Sequence, residues 1–310
     1  MNIKINGQIA ALLVFYLMLV AFFSFSTSNF FTFSNGVNIL SNIAVLGIVA
    51  LGQTLAIVSG GFDLSVSGTV PLGAVVFVLL TNSDYDVFSA CILVALTGGF
   101  VGFLNGIFVT KVGISPLITT LGMLSITSGL ALTLSKGVTI PMKSLSAGIL
   151  SEFAFARVAW FLIAFVFLSI TVHLVMRYTV IGRMIYAIGG NSEASLLAGI
   201  RVDFVSILVY VVCAVLASFA GVVVASQLLA GSANVGNEVA LASVAAVILG
   251  GASLFGGVGT VAGTLIGVLI LGTIANGMAL MLVPAFYQQM ANGVILLLAV
   301  GLGRLRDIKT

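Results

Sequence analysis

Ten apolar runs alternate with short polar or Gly/Pro-punctuated stretches along this chain of 310 residues. They cover residues 8–25, 38–58, 68–81, 87–109, 115–134, 154–176, 204–229, 239–252, 260–281 and 286–302. A helix needs about 20 apolar residues to cross a bilayer. The runs at 68–81 and 239–252 are short of that; the others come close to it or exceed it. The pattern predicts an all-α, polytopic membrane protein of about ten transmembrane helices, forming one domain over residues 1–310. The first run follows Lys4 and is followed by the small residues Ser24 and Ser26, as in a cleavable signal. It is long for a signal segment and is expected to stay as the first membrane helix. Two polar stretches are longer than the rest: 135–153, which contains Pro141, and 177–203.

Composition sharpens this picture. The chain is 61% apolar and 6% charged, with a mean hydropathy of +1.32. A soluble surface is about 25–35% charged, so lipid must form most of this protein's surroundings. The net charge of +3 comes from Lys and Arg scattered singly, with no basic run to bind nucleic acid. Those residues instead set orientation, because Lys and Arg gather on cytoplasmic loops. With the N-terminus inside, the cytoplasmic side holds Lys4, Lys111, Arg177, Arg183, Arg201, Arg304, Arg306 and Lys309. The outer side holds Lys136, Lys143 and Arg157. Both termini are therefore expected in the cytoplasm. Glycines recur at spacing four, at Gly98/Gly102/Gly106 and Gly259/Gly263/Gly267. Such stripes let helices approach closely. The segments "GGFDLSVSGTV" (60–70) and "GGASLFGGVGTV" (250–261) echo each other, through an old duplication or through shared loop chemistry.

Catalytic chemistry is absent from the pattern. There is no G-x-x-x-x-G-K-[ST] phosphate loop and no H-E-x-x-H zinc motif. His173 is the single histidine, and Cys91 and Cys213 read as small packing residues. No metal or cofactor is expected on this chain. Seven of the eight acids fall in loops or tails; Asp63 is the exception, between two apolar runs in "SGGFDLSVSG". Asp63, Ser65 and Ser67 all suit the cap of a following helix. Asp63 is thus either a cap at the cytoplasmic boundary or, with Ser65, part of a substrate path or gate. Gln53, Asn105, Gln227, Asn276 and Asn292 lie within apolar runs. They would suit a sugar-like ligand, and would equally join helices by hydrogen bonds across the bundle.

The stretch "GGNSEASLLAGI", residues 189–200, is a small polar island. Asn191 or Ser192 can cap a short helix, Glu193 complements its dipole, and Gly199 suits a left-handed stop. Leu196 and Leu197 would face water without a partner, while Ala194 and Ala198 permit close approach. Two turns of helix are marginal alone, so a partner protein is expected to pack here; the alternative is a loop helix lying on the membrane.

Four stretches together resemble the ribose-type ABC transporter permeases. "GGFDLSVSG" is similar to that family's GG-[IF]-DLSVG motif. "FLNGIFVTKVGISPLITTLGMLSITSGLAL" resembles its NG…PPFI-TLG-M…GLAL segment. "GRMIYAIGGNSEASLLAGI" resembles its cytoplasmic G-R-x-x-Y-A-x-G-G-N loop, and "ASVAAVILGGASLFGGVGTVAGTLIGVLILGTIANGMALM" its AIAAV…GG-SL-GG-G-GT segment. The resemblance runs in order from about residue 40 to 300. It implies an ATP-driven importer of a simple sugar in a bacterial inner membrane. Its partners would be an ATPase with two nucleotide-binding modules, which holds ATP and Mg, an outside solute-binding protein and a second permease subunit. It also makes Gly189, Gly190, Asn191, Glu193, Ala194, Leu196, Leu197, Ala198, Gly199 and Ile200 the coupling segment. Ser115-Pro116 stands where relatives often carry Pro-Pro, and Ala240-Leu241-Ala242, with Glu238 nearby, where many carry Glu-Leu-Asp. That departure leaves a substrate other than ribose open, among them a nucleoside, an amino acid or a signalling molecule. An ion-coupled secondary transporter would need more ionisable groups at mid-membrane than Asp63 alone. A scaffold that moves nothing would not need the intramembrane polar set.

Overall fold

The computed structural model describes residues 2–284 except 144, 156, 157 and 237, together with several positions between 286 and 301. Asn292, Arg157, Arg304, Arg306, Asp307 and Lys309 lie outside the described residues. The helices are α1 (Asn2–Ser26), α2 (Phe33–Val58), α3 (Val66–Asn82), α4 (Val87–Thr110), α5 (Pro116–Ser135), α6 (Trp160–Tyr178), α7 (Val180–Gly190), α8 (Ser192–Leu197), α9 (Val202–Leu228), α10 (Val239–Leu249) and α11 (Val261–Leu280). Four strands of two or three residues accompany them: β1 (Ile140–Pro141), β2 (Phe153–Phe155), β3 (Val158–Ala159) and β4 (Ala230–Gly231). Seven of the described helices, α1, α2, α4, α5, α6, α9 and α11, are long and apolar enough to cross a membrane.

Helix starts follow local chemistry. Thr32 caps α2 by accepting from the Asn35 amide, and Thr260 caps α11 through Gly263. Asp86 caps α4, and the Ser89 hydroxyl and amide hold its carboxyl below the usual carboxylate range. α9 is the central post, packed on α2, α3 and α4. An added Cβ at Gly98 would meet Ser218 and Ala214, at Gly102 the Tyr210 carbonyl, and at Gly106 Ile207. The α4 glycine stripe therefore lies directly on the α9 backbone. Gly263 and Gly267 lie likewise on Gly250 and Ala246, drawing α11 onto α10.

The two short runs take different forms. α3 has 17 residues and starts above the end of α2. α10 has only 11, about 16 Å at 1.5 Å per residue, roughly half the hydrocarbon thickness. Residues 230–236 before it are not helical. Gly231 packs on Ala74 and Val75, Gly236 on Val70, and the Ala240 amide donates to Ser67 Oγ at 2.9 Å. Residues 230–236 thus run alongside α3. Non-helical backbone at this depth is tolerated where protein rather than lipid covers it, and Gly231, Ser232 and Ala233 are buried. α6 starts at Trp160 rather than 154, because Phe153–Phe155 pairs with Val158–Ala159 as a hairpin. A short apolar run does not by itself distinguish strand from helix.

One end of the bundle carries the breaks at 59–65 and 250–260 and the helices α7 and α8. Lys111, Arg177, Arg183 and Arg201 are at this end, and Lys111 pairs with Asp203. The opposite end carries residues 83–86, 136–143, 145–155 and 158–159, with Lys136 and Lys143. There β1 pairs antiparallel with β4, placing Ile140 opposite Gly231.

Candidate functional site

The polar stretch 177–203 holds two helices, where the sequence suggests one. α8 is the small one. Asn191 is its cap, its side-chain oxygen accepting from the Ala194 amide at 2.9 Å. Gly199 ends it at φ +83°, and the Ile200 amide returns to the Ser195 carbonyl at 3.0 Å, a Schellman closure. Only Ser195 is buried; Leu196 is 64% exposed and Leu197 is 90% exposed. α7 escapes sequence reading because its charged and glycine positions hide a buried face made of Gly182, Ile185 and Ile188. Its Tyr186 hydroxyl donates to the Gly259 carbonyl at 2.7 Å.

The Gly-Gly pairs meet at the end of α7. A Cβ on Gly189 would strike the Val58 carbonyl oxygen and the Gly257 nitrogen. Gly256 lies against Gly189 and Gly60, and Gly257 against Gly190. The Gly257 amide donates to the Val58 carbonyl at 2.9 Å. Three backbones therefore join without side chains: the end of α2, the end of α7 and the loop before α11. The echoing segments at 60–70 and 250–261 are the two breaks that this joint holds side by side.

Just above the joint, Gln53, Asp63, Ser65 and Asn105 form one buried polar knot. Asp63 is fully buried, three residues from the exposed Gly60. Its Oδ1 accepts from the Ser65 amide at 2.8 Å and the Ser65 hydroxyl at 2.6 Å, so it caps the turn that opens α3. Asn105 donates to Ser65 Oγ at 2.8 Å and, at 3.4 Å, to both Asp63 oxygens. In the amide orientation that satisfies both partners, Gln53 donates to the Asp63 carbonyl at 3.2 Å and accepts from its amide at 3.3 Å. Asn105 Oδ1 and the nearby Tyr210 hydroxyl are buried without a partner among the described residues.

Asp63→Ala is expected to destabilise the protein by roughly 2–4 kcal/mol, because the Ser65 amide, its hydroxyl and Asn105 would all be left unpaired in a buried site. Asp63→Asn is expected to behave nearly as wild type. Asn caps as well as Asp, and Asn105 can turn its spare oxygen toward the new amide. Thermal unfolding in detergent and solute uptake check this. Loss of uptake by Asp63→Asn at normal stability would show that the charge itself acts.

The other amides are elsewhere. Gln227 is exposed near the far end of α9, 3.5 Å from the Ser41 carbonyl. Asn276 pairs reciprocally with Asn35, each Nδ2 donating to the other's Oδ1 at 3.0 Å. Asn35 stands just before the run at 38–58, so no apolar context singles it out in the sequence. Asn276 also borders a cavity of about 420 Å³ between α2, α10 and α11, with Glu238 and Asn42 on its wall.

An all-helical bundle with seven helices long and apolar enough to cross a membrane, buried helix breaks and a short exposed helix is the architecture of a multi-pass membrane protein. The chain belongs to the family described as branched-chain amino acid transport system / permease component, which matches residues 35–300. It is similar to the ribose import permease protein RbsC of Escherichia coli strain K12, 35% identical over 93% of this chain and 91% of that protein. It is also similar to the L-arabinose ABC transporter permease protein AraH of Azospirillum brasilense, 33% identical over 94% of this chain and 86% of that one. The autoinducer 2 import system permease protein LsrC of Yersinia pseudotuberculosis is 32% identical, over 97% and 86%. The likeness to ribose-type ABC permeases read from the four motifs is therefore kinship. No solved structure matches the chain.

Proposed function

We propose that this chain is the membrane-spanning permease subunit of an ATP-driven ABC importer that carries a simple sugar, such as ribose or L-arabinose, across a bacterial inner membrane. The observation that carries this reading is the end-to-end similarity to permeases of those sugars. The end bearing α7 and α8 is the cytoplasmic one, in keeping with its Lys and Arg. Ten crossings would combine the seven long helices, α3, α10 with the non-helical chain before it, and the apolar run at 286–302, with both termini inside. α8 docks into an ATPase with two nucleotide-binding modules, which holds ATP and Mg. The glycine joint carries its motion to the breaks before α3 and α11. An outside solute-binding protein delivers the sugar at the opposite end, and a second permease, a copy of this chain or a relative, completes the pathway.

Uptake of labelled sugars by cells expressing the whole transporter tests this. Uptake is expected to survive collapse of the ion gradients while ATP is maintained; loss with the gradients would mark a secondary transporter. The purified chain alone is expected to hydrolyse no ATP, since it has no phosphate loop. ATPase activity that persists in rigorously purified protein would overturn that division of labour. The likeness to an autoinducer 2 permease favours one second reading, a small polar signalling molecule as the solute.

A further inference from the structure

We propose that the cavity between α2, α10 and α11 is a subsite on the transport route that accepts a neutral polyhydroxyl solute and excludes anionic ones. This rests on the importer reading above. The cavity measures about 420 Å³, within the range of roughly 300–1,000 Å³ usual for small-ligand sites. Each helix turns one face to it. α10 contributes Glu238, Leu241, Ala242 and Ala245 at spacings of three and four, and α11 contributes Gly272, Ala275, Asn276 and Ala279. The small residues make room, and Leu46 and Leu241 supply apolar wall for the C–H faces of a sugar ring.

Its depth suits a route from the far end. Asn276 lies within the last turn and a half of α11, beside the end opposite α7 and α8. Glu238 is the residue before α10, whose Ala240 amide reaches Ser67 on α3. The cavity therefore runs inward from that end to the level at which α10 begins.

The polar groups converge with capacity to spare. A carboxamide has two donors and two acceptor lone pairs, and a carboxylate only accepts. Asn276 uses one donor and one acceptor on Asn35. Gln288 uses one donor on the Val283 carbonyl. Among the described residues, no side-chain bond engages Glu238 or Asn42. Glu238 can accept from two neighbouring hydroxyls, and the amides can both give and receive. Among the described residues no lysine or arginine lines the cavity, so a carboxylate or phosphate on the solute would meet Glu238 without compensation from them.

The test uses cells carrying the complete transporter and a panel of labelled neutral pentoses and hexoses. Wild type is expected to import at least one of them and not the corresponding sugar acid or sugar phosphate. Glu238→Gln removes the charge-assisted acceptor without changing volume and is expected to slow that import by at least about tenfold. Ala242→Phe fills the cavity and is expected to slow it at least as much. Neither should change membrane amounts or co-purification of the ATPase. Import within twofold of wild type by a normally inserted Glu238→Gln overturns the subsite, whatever Ala242→Phe does to folding. A wild-type transporter that imports no neutral sugar, yet moves another solute on ATP, overturns the sugar reading itself and the subsite with it.

Discussion

Replacing Gly189 with alanine is expected to leave the ATPase bound and yet bring uptake close to background. The added methyl would overlap the Val58 carbonyl oxygen and the Gly257 nitrogen, the two ends of the 2.9 Å hydrogen bond that ties the loop before α11 to α2. Neither obstacle is the tip of a flexible side chain, so backbone must move. Overpacking of this kind costs about 1–3 kcal/mol, too little to unfold a bundle of this size but enough to open the joint. α8 lies beyond Asn191 and keeps its own cap and its leucines, so docking should persist. Gly190→Ala is the matched control, because a Cβ there meets nothing within 4 Å. Uptake, ATPase co-purification and membrane amount, measured on both variants, decide the matter. Normal uptake by Gly189→Ala, or equal loss in Gly190→Ala, would remove the joint from the coupling route.

The parts of this fold that are legible in sequence are those with a long repeat or a strong local rule. Seven apolar runs of sufficient length appear as helices, because burial in lipid leaves a backbone few other ways to satisfy its hydrogen bonds. The α8 cap and stop are equally local: Asn191, Ser195 and Gly199 determine them within nine residues. The glycine stripe on α4 shows itself by spacing, though not which helix it lies against. What escapes is set by distant partners. The non-helical chain at 230–236 is held by Ala74, Val75 and Val70, some 160 residues earlier in the chain. The run at 239–252 therefore gives no sign of the chain packed along α3 just before it. The same holds for the candidate polar residues. Gln53, Asp63, Ser65 and Asn105 look alike as isolated polar positions in greasy segments, yet they gather in one closed knot. Asn276 and Gln227 look no different, and one borders a cavity while the other meets the surroundings at the end of α9. The glycines at 60–61, 189–190 and 256–257 stand far apart along the chain. Only the assembled backbone shows that these segments touch.

Leu197→Asp is expected to do the opposite of Gly189→Ala: the ATPase should be lost from the purified complex, and uptake with it. Leu197 is 90% exposed and Leu196 is 64% exposed on a helix of six residues. So short a helix is marginal without a partner, and its two leucines are left exposed among the described residues. Burying one leucine is worth roughly 1.5–3 kcal/mol, which corresponds to about ten- to a hundredfold in affinity. An aspartate loses that gain and must also be desolvated in the docking groove, so the total effect should exceed the leucine term alone. The folded permease should not notice, since exposed substitutions away from caps usually stay within about 0.5 kcal/mol. Membrane amount and thermal stability in detergent should therefore match wild type. Capture of sugar by the outside binding protein should be unchanged, because it precedes contact with this end of the bundle. A helix that merely lay on the membrane surface would also lose an apolar contact in Leu197→Asp, but the ATPase would still co-purify. Full co-purification of the ATPase with normal uptake would therefore remove residues 189–200 from the coupling role and leave the two leucines to lipid.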